Sequence, residues 1–234
     1  MADLTLKNKT ALITGASGAI GGAIANKLSS LGANVILTDK IKEKIDDLEK
    51  KLGPNSLGLI ADLSKDEEID NLYNESIKKF KSIDILVNNA GIARWGSIEE
   101  VTYEDFDEQV KFNLTGTFNT IKEITPMMIK QKSGNIVNII TSTVKKTKSG
   151  RVAYAASKYG QAGLSNAVHE DLKEKGISVV AVYPGKTNTP IHDNYIKQDD
   201  PVRNEMLKPE EVAEVVLEAA LIPTEDDVKE LIVN

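Results

Sequence analysis

The chain has 234 residues, is 41% hydrophobic and 27% charged, carries a net charge of −6 and contains no cysteine. That length suits one α/β domain able to bury a core without staples, and the acidic balance without a basic stripe argues against a nucleic-acid backbone as partner. No apolar run approaches the ~18 residues that a membrane span needs, and the lack of cysteine excludes disulfides and thiolate chemistry, which suits a reducing cytoplasm.

The opening MADLTLKNKT has no apolar segment of a signal peptide. Short β-branched apolar runs then alternate with longer helical patterns. Strands are predicted at 10–14, 34–38, 56–61, 83–88, 135–140, 177–182 and 228–233, the first six apolar enough to be covered on both faces. Helices are predicted near 19–31, 42–52, 66–80, 103–131, 153–175 and 209–222. Ser64 with Glu67, and Thr102 with Asp105, have the capping-box spacing, and Pro209 suits a helix's first turn. This alternation implies one doubly wound parallel sheet of Rossmann type, with helices on both faces, spanning 1–234. The polar stretch Lys186–Lys208 lacks periodicity and reads as a segment that covers a site. His169 and His192 have no partner at metal-ligand spacing, so no metal site is expected.

The first strand runs into TGASGAIG and then a helix. In that context Gly15 permits a tight turn, Gly21 allows close helix–sheet packing, and the helix N-terminus offers N–H groups and a positive dipole end to a pyrophosphate. Asp39 ends the second strand, where a carboxylate accepts hydrogen bonds from a ribose and repels a 2′-phosphate. NAD is therefore favoured, while Lys40 next door keeps NADP open.

Tyr154 and Lys158, in YAASK, share one helix face with only small residues between them. Alone the pair carries little in a chain this rich in lysine. Its company changes that: TGASGAIG, ADL with Asp62, NNAG at 88–91, FNLTGTF with Asn113 and YPGKTNT at 183–189 stand with it in order. Together these motifs resemble the short-chain dehydrogenase/reductase family, in its short branch, over nearly the whole chain.

The resemblance implies roles. Tyr154 would be the acid or base at the reacting oxygen, with Lys158 lowering its pKa and holding the nicotinamide ribose. Asn113 would hold a water linking Lys158 to solvent. The turn residues Gly15, Ser17, Gly18, Ala19, Ile20 and Gly21 would take the pyrophosphate side of the cofactor, and Asp39 with Lys40 the ribose end. Asp62 and Leu63 would face the adenine, and Asn89, Ala90 and Gly91 the adenosine ribose. Pro184, Gly185, Thr187 and Thr189 would lie toward the nicotinamide carboxamide.

Two departures stand out. Ala19 occupies a position usually glycine in the short branch, with Gly18 one place earlier, so that Gly15, Gly18 and Gly21 read GxxGxxG as in the extended branch. Chain length and NNAG favour the short branch. The family's substrate-binding serine, thirteen residues before the tyrosine, falls on Thr141. A threonine hydroxyl can donate the same bond, and a bulge would present Ser142 instead, so both remain candidates.

Arg94 and Trp95 could line a substrate pocket, or Trp95 could be a packed loop anchor. Met127 and Met128 read as core or interface, and Lys145, Lys146 and Lys148 as a solvated loop. Helices 103–131 and 153–175 resemble those that family members use to form dimers and tetramers. The expectation is a cytoplasmic NAD(P)-dependent oxidoreductase interconverting a small secondary alcohol and a carbonyl compound, as a homodimer or homotetramer, with no nucleic-acid or membrane partner. The rivals are an NADPH-dependent 3-oxoacyl thioester reductase and a non-catalytic dinucleotide sensor.

Overall fold

The structure is a computed structural model that describes residues 5–193 and 195–234; the first four residues of the opening segment and Asn194 within 186–208 lie outside the described residues. Seven strands form one sheet: β1 (Thr10–Thr14), β2 (Asn34–Asp39), β3 (Ser56–Ile60), β4 (Ile85–Asn88), β5 (Gly134–Ile139), β6 (Ile177–Pro184) and β7 (Glu230–Val233). Their order is β3-β2-β1-β4-β5-β6-β7, and every neighbouring pair is parallel. Parallel neighbours need a crossover, which the chain supplies with helices. These are α1 (Ala19–Ser30), α2 (Lys42–Leu52), α3 (Asp66–Phe80), α4 (Tyr103–Gln109), α5 (Gly116–Gln131), α6 (Val152–Leu172) and α7 (Pro209–Leu221).

Alternate residues of each strand face opposite layers. Ala11 and Ile13 of β1 join a core with Ile24 and Leu28 of α1 and Val212 and Val216 of α7. Leu12 between them joins the other core, with Leu72 of α3, Ile124 and Met128 of α5 and Leu172 of α6. Met128 is thus a core residue, packed against Gly134 at the start of β5. The chain reverses its winding between β1 and β4, and a crevice opens at the carboxyl ends of such neighbouring strands.

Several sequence expectations need correction. β3, at the edge of the sheet beside β2, is not covered on both faces: Leu57, Gly58 and Leu59 are only half-buried and Ile60 at its end is exposed. The helix predicted over 103–131 is interrupted by a π-helical turn, Val110–Thr115. Ser64 does not cap α3: Lys65 occupies the N-cap, and the Ser64 hydroxyl donates to Asp62 Oδ1 at 2.7 Å instead. The final strand begins at Glu230 and β4 at Ile85, each two residues later than predicted. Thr102 does cap α4, its hydroxyl accepting from Asp105 N at 3.0 Å, and Pro209 opens α7.

Candidate active site

The turn after β1 is shaped by lack of side chains. Gly15 has φ +64°, a left-handed backbone that favours glycine. A Cβ on Gly21 would sit 2.2 Å from the Gly15 carbonyl oxygen and 2.8 Å from Asn89 Nδ2, so α1 packs onto the turn only because that Cβ is missing. Gly18 is looser, its nearest atom being the Gly15 carbonyl oxygen at 3.3 Å. Ala19 and Ile20 follow it as the first residues of α1, and the alanine in the unusual place leaves that helix start intact. Asn89 at the end of β4 ties the turn down, its Nδ2 donating to the carbonyls of Thr14 and Gly15 at 3.0 Å each. The Thr14 hydroxyl accepts from the N–H groups of both Asn89 and Ala90 at 3.0 Å. No side chain caps α1 and no acid lies in its first turn, so its leading N–H groups and dipole are left for an anionic ligand. The residues fit a dinucleotide pyrophosphate.

Asp39 closes the β2 end of the crevice. Its carboxylate accepts from Ser17 Oγ at 2.6 Å and Ser17 N at 3.3 Å, and from Lys40 N at 2.6 Å. The Lys40 ammonium lies elsewhere, 3.0 Å from Asp62 Oδ2 and 3.8 Å from the centre of the Phe112 ring. Burial alone would raise the Asp62 pKa, but hydrogen bonds from Ser64 and Lys40 hold it down to about 2. Leu63 beside it is buried against Gly116.

At the other end, β5 runs out into Thr141, in extended conformation with φ 179°. The Thr141 hydroxyl is near enough to the Tyr154 phenol to pull its pKa down, and its own hydrogen bonds run to Thr143, 3.3 Å to Oγ1 and 3.3 Å to N. Ser142, the alternative hydroxyl, opens a 3-10 turn, and of the two it is Thr141 that acts on the Tyr154 phenol. Burial raises the Tyr154 pKa, while the Thr141 hydroxyl and the Arg151 charge pull against that rise. Lys158 lies one turn further along α6 and is 4% exposed, its Nζ donating to the Ile139 carbonyl at 3.2 Å. Burial lowers its pKa to about 7.

Asn113 sits in the π-helical turn, fully buried. Its Nδ2 donates to Ile92 O and to Ser157 Oγ, each at 2.9 Å, and its Oδ1 accepts from Ile92 N at 2.8 Å. Both amide protons are spent, leaving acceptor lone pairs for any further partner. A Cβ on Gly91 would stand 3.2 Å from Asn113 Oδ1 and 3.5 Å from Lys158 Nζ, so these two side chains and Gly91 face one gap.

Beyond β6, Gly185 N donates to Val233 O at 2.8 Å, and buried Thr187 bridges to Leu207. Thr189, five residues past Pro184, precedes the 3-10 turn Pro190–His192. Trp95 stacks on Tyr195, with ring centres 3.8 Å apart, and tilts against His192 at 5.6 Å. Sequence reasoning named Trp95 but not its partners. It also missed Gln109, Arg151 and Arg203. Gln109 was legible as a polar residue one turn before Asn113. Arg203 had no signal: it is 8% exposed and bonds Asn188, Asp193, Ile196 and Lys197 within a stretch lacking periodicity.

A glycine turn on a bare helix N-terminus, an acid at the end of β2 and a tyrosine–lysine pair at the far end of one crevice define a dinucleotide-dependent oxidoreductase. The sequence model of the short chain dehydrogenase family matches residues 9–200, and the chain belongs to that family. It is 36% identical over 183 residues to a 3-oxoacyl-[acyl-carrier-protein] reductase, FabG, of Staphylococcus epidermidis, covering 76% of this chain and 75% of that protein. An uncharacterized oxidoreductase of Staphylococcus aureus is 32% identical over 231 residues, covering 98% of each. The crystal structure of a 3-ketoacyl-(acyl-carrier-protein) reductase from Brucella melitensis complexed with NADH superposes with a TM-score of 0.88 at 26% identity, covering 98% of both chains. The protein is an NAD(P)-dependent oxidoreductase, and no helix among its described residues is long and apolar enough to cross a membrane.

Proposed function

We propose that the chain interconverts a secondary alcohol and a carbonyl compound, with Tyr154 as acid–base residue, and that it prefers NAD. The observation that carries this reading is buried Lys158, one helical turn from Tyr154, with its Nζ donating at 3.2 Å to the Ile139 carbonyl two residues before Thr141, so that lysine, tyrosine and threonine meet at the end of β5. When bound, the nicotinamide supplies hydride transfer and, oxidised, a positive charge near the phenol. The chain's own groups hold and move the proton. Burial keeps Tyr154 a neutral phenol, ready to donate to a carbonyl oxygen at which alkoxide develops. Thr141 donates to that same oxygen and positions it; Ser142 has no such placement. Lys158, poised near neutrality, holds a ribose and helps return a proton to Tyr154 through the gap at Gly91 and Asn113. Asn113 supports that relay only as an acceptor.

For the cofactor, Gly15, Gly18, Ala19, Ile20 and Gly21 take the pyrophosphate, and Asn89, Ala90 and Gly91 the adenosine ribose. Asp62 and Leu63 take the adenine, and Pro184, Gly185, Thr187 and Thr189 the carboxamide. Asp39, pre-set by Ser17, accepts from a ribose diol and repels a 2′-phosphate. Lys40 is drawn to Asp62 and Phe112, so it does not offset that repulsion.

The segment 186–208 covers the substrate within a single domain of residues 1–234. Tyr103, Phe106, Phe118 and Ile129 on α4–α5 and Tyr159 on α6 are exposed large hydrophobic residues, which favours a homodimer or homotetramer through those helices. A cytoplasmic place suits a cysteine-free chain that uses a nicotinamide. The two acyl-carrier-protein reductases among the relatives favour a second reading, an NADPH-linked 3-oxoacyl thioester reductase; Asp39 speaks against it.

Titration with NADH and NADPH, followed by energy transfer from Trp95, tests both. NADH is expected to bind at least about tenfold tighter, 1.4 kcal/mol. Tyr154→Phe is expected to lose about 10²–10⁴ in turnover while binding NADH as the parent does. Tighter NADPH binding would turn the cofactor reading toward the thioester reductase, and parallel loss of binding and turnover would remove Tyr154 from the acid–base role.

A further inference from the structure

We infer that the substrate carries an anionic oxygen group, a carboxylate or a phosphate, held by Arg151 beside Trp95 and His192. The inference rests on the carbonyl-reductase reading and names its substrate class.

The chain has three arginines. Arg94 is paired with Asp105 and Glu108, and Arg203 with Asp193. Arg151 alone has no carboxylate partner among the described residues. It is half-buried at the N-cap of α6, three residues before Tyr154. Its guanidinium lies 4.6 Å from the centre of the Trp95 ring, and Nη1 donates to Thr143 Oγ1 at 3.0 Å. Thr143 is in turn 3.3 Å from Thr141 Oγ1. A guanidinium has five N–H donors in a planar fork that matches carboxylate and phosphate oxygens, and most of this fork is unspent.

The surroundings lack an acceptor in the same way. Trp95 Nε1 and His192 Nδ1 are buried without a hydrogen-bond partner among the described residues, and a buried polar atom left unpaired costs about 1–3 kcal/mol. The Lys186 charge also reaches His192, which burial and then Lys186, Arg151 and Arg203 push below its usual pKa. Asp193, the one acid facing that histidine, is already committed to Arg203. In a protein of net charge −6, this corner of the crevice is cationic. Cation–π packing on Trp95 explains why Arg151 lies against the indole, but not why the charge is left without a carboxylate counter-ion near the reacting tyrosine.

Trp95 is the only tryptophan, so its fluorescence reports on this corner directly. The protein saturated with oxidised cofactor would be titrated with acetoacetate against methyl acetoacetate, and with dihydroxyacetone phosphate against dihydroxyacetone. At least one anion is expected to quench Trp95 with a Kd tenfold or more below that of its neutral partner, and which anion does so decides between carboxylate and phosphate. Arg151→Gln is expected to erase that discrimination, and Arg151→Lys to restore part of it. A purely structural arginine would alter melting without moving the anion-to-neutral ratio. Equal affinities in the parent, no binding of either anion, or discrimination surviving in Arg151→Gln would overturn the inference. Oxidation of NADH with the same four compounds separates the two readings: anion-selective binding without turnover removes the reductase and leaves the subsite, and turnover without anion selectivity does the reverse.

Discussion

Asn113 faces the backbone of Ile92 as one strand faces another, donating from Nδ2 to its carbonyl at 2.9 Å and accepting its N–H on Oδ1 at 2.8 Å. One turn earlier Gln109 does the same to Arg94, accepting its N–H at 3.0 Å and donating to its carbonyl at 3.1 Å. The start of the loop that leaves β4 is therefore held by two side-chain amides, and Trp95 directly after this clamp is held further by its own backbone N–H bond to Tyr195 Oη at 3.1 Å and by the Gly96–Arg151 bridge. Gln109→Ala strands a backbone N–H and a carbonyl at once, and is expected to cost about 1–3 kcal/mol in urea denaturation. Trp95 emission should shift to the red in the folded state. Unchanged emission would mean that stacking on Tyr195, not the clamp, positions the tryptophan.

The glycine turn separates a required glycine from a tolerant one. Gly21→Ala would bring a Cβ to 2.2 Å from a backbone oxygen, which only a shift of α1 can relieve. Gly18→Ala meets that same oxygen at 3.3 Å, and a small adjustment suffices. Loss of NADH affinity by more than about 100-fold, ~2.7 kcal/mol, is expected for the first substitution. For the second, less than about threefold is expected. Isothermal titration would measure both, with circular dichroism to show whether the Gly21 variant still folds. Equal losses would contradict the spacing argument.

The period of the apolar runs made the sheet legible, because strands covered on both faces leave long unbroken signals. It failed at β3, where an edge strand with an exposed end carries a similar apolar run. It also failed at Val110–Thr115, since a π turn keeps helical periodicity on either side. Asp39 and Asn89 were legible because they sit at or just past the ends of β2 and β4, and Tyr154 and Lys158 because they share one face in the first two turns of α6, elements whose positions the pattern sets. What the motifs left open was contact between distant segments. Arg151 against Trp95 and Tyr195 against Trp95 join stretches up to 100 residues apart with no local signal.

Thr141 and Ser142 can be told apart by function. Thr141 is the hydroxyl that acts on the Tyr154 phenol, and Ser142 starts a turn. Thr141→Val keeps the shape and removes the hydroxyl, so turnover is expected to fall by about 10²–10³, the range seen for single donors to a developing oxyanion. Ser142→Ala is expected to stay within about threefold of the parent, well under ~1.4 kcal/mol. Steady-state kcat on one carbonyl substrate, with NADH saturating, decides this. The reverse order would place Ser142 at the substrate oxygen through a change in the turn.

Lys158 links the chemistry to a cost in stability. Burial lowers its pKa to about 7, whereas in the unfolded chain it titrates near 10.5. Between those values the folded state binds fewer protons, so the Lys158 contribution to stability rises with pH over that window. Below pH 7 the lysine is charged in both states and the full cost of burying it is present. The cost is relieved progressively as pH climbs toward 10.5. Lys158→Met removes the titration while keeping an unbranched chain of similar reach. The variant should be more stable than the parent near pH 6.5, by at most ~5 kcal/mol in the linkage limit, and this advantage should shrink steadily by pH 9.5. Turnover should be lost throughout, because the ammonium that serves Tyr154 is gone. Comparing urea midpoints of the two proteins across that range isolates the lysine from Tyr154, whose raised pKa acts on both alike at the alkaline end. A stability difference that stayed flat with pH would show that Lys158 keeps its ordinary pKa in the fold. The ammonium would then be stabilised by more than the Ile139 carbonyl, and the relay proposed at Gly91 would start from a fully charged lysine.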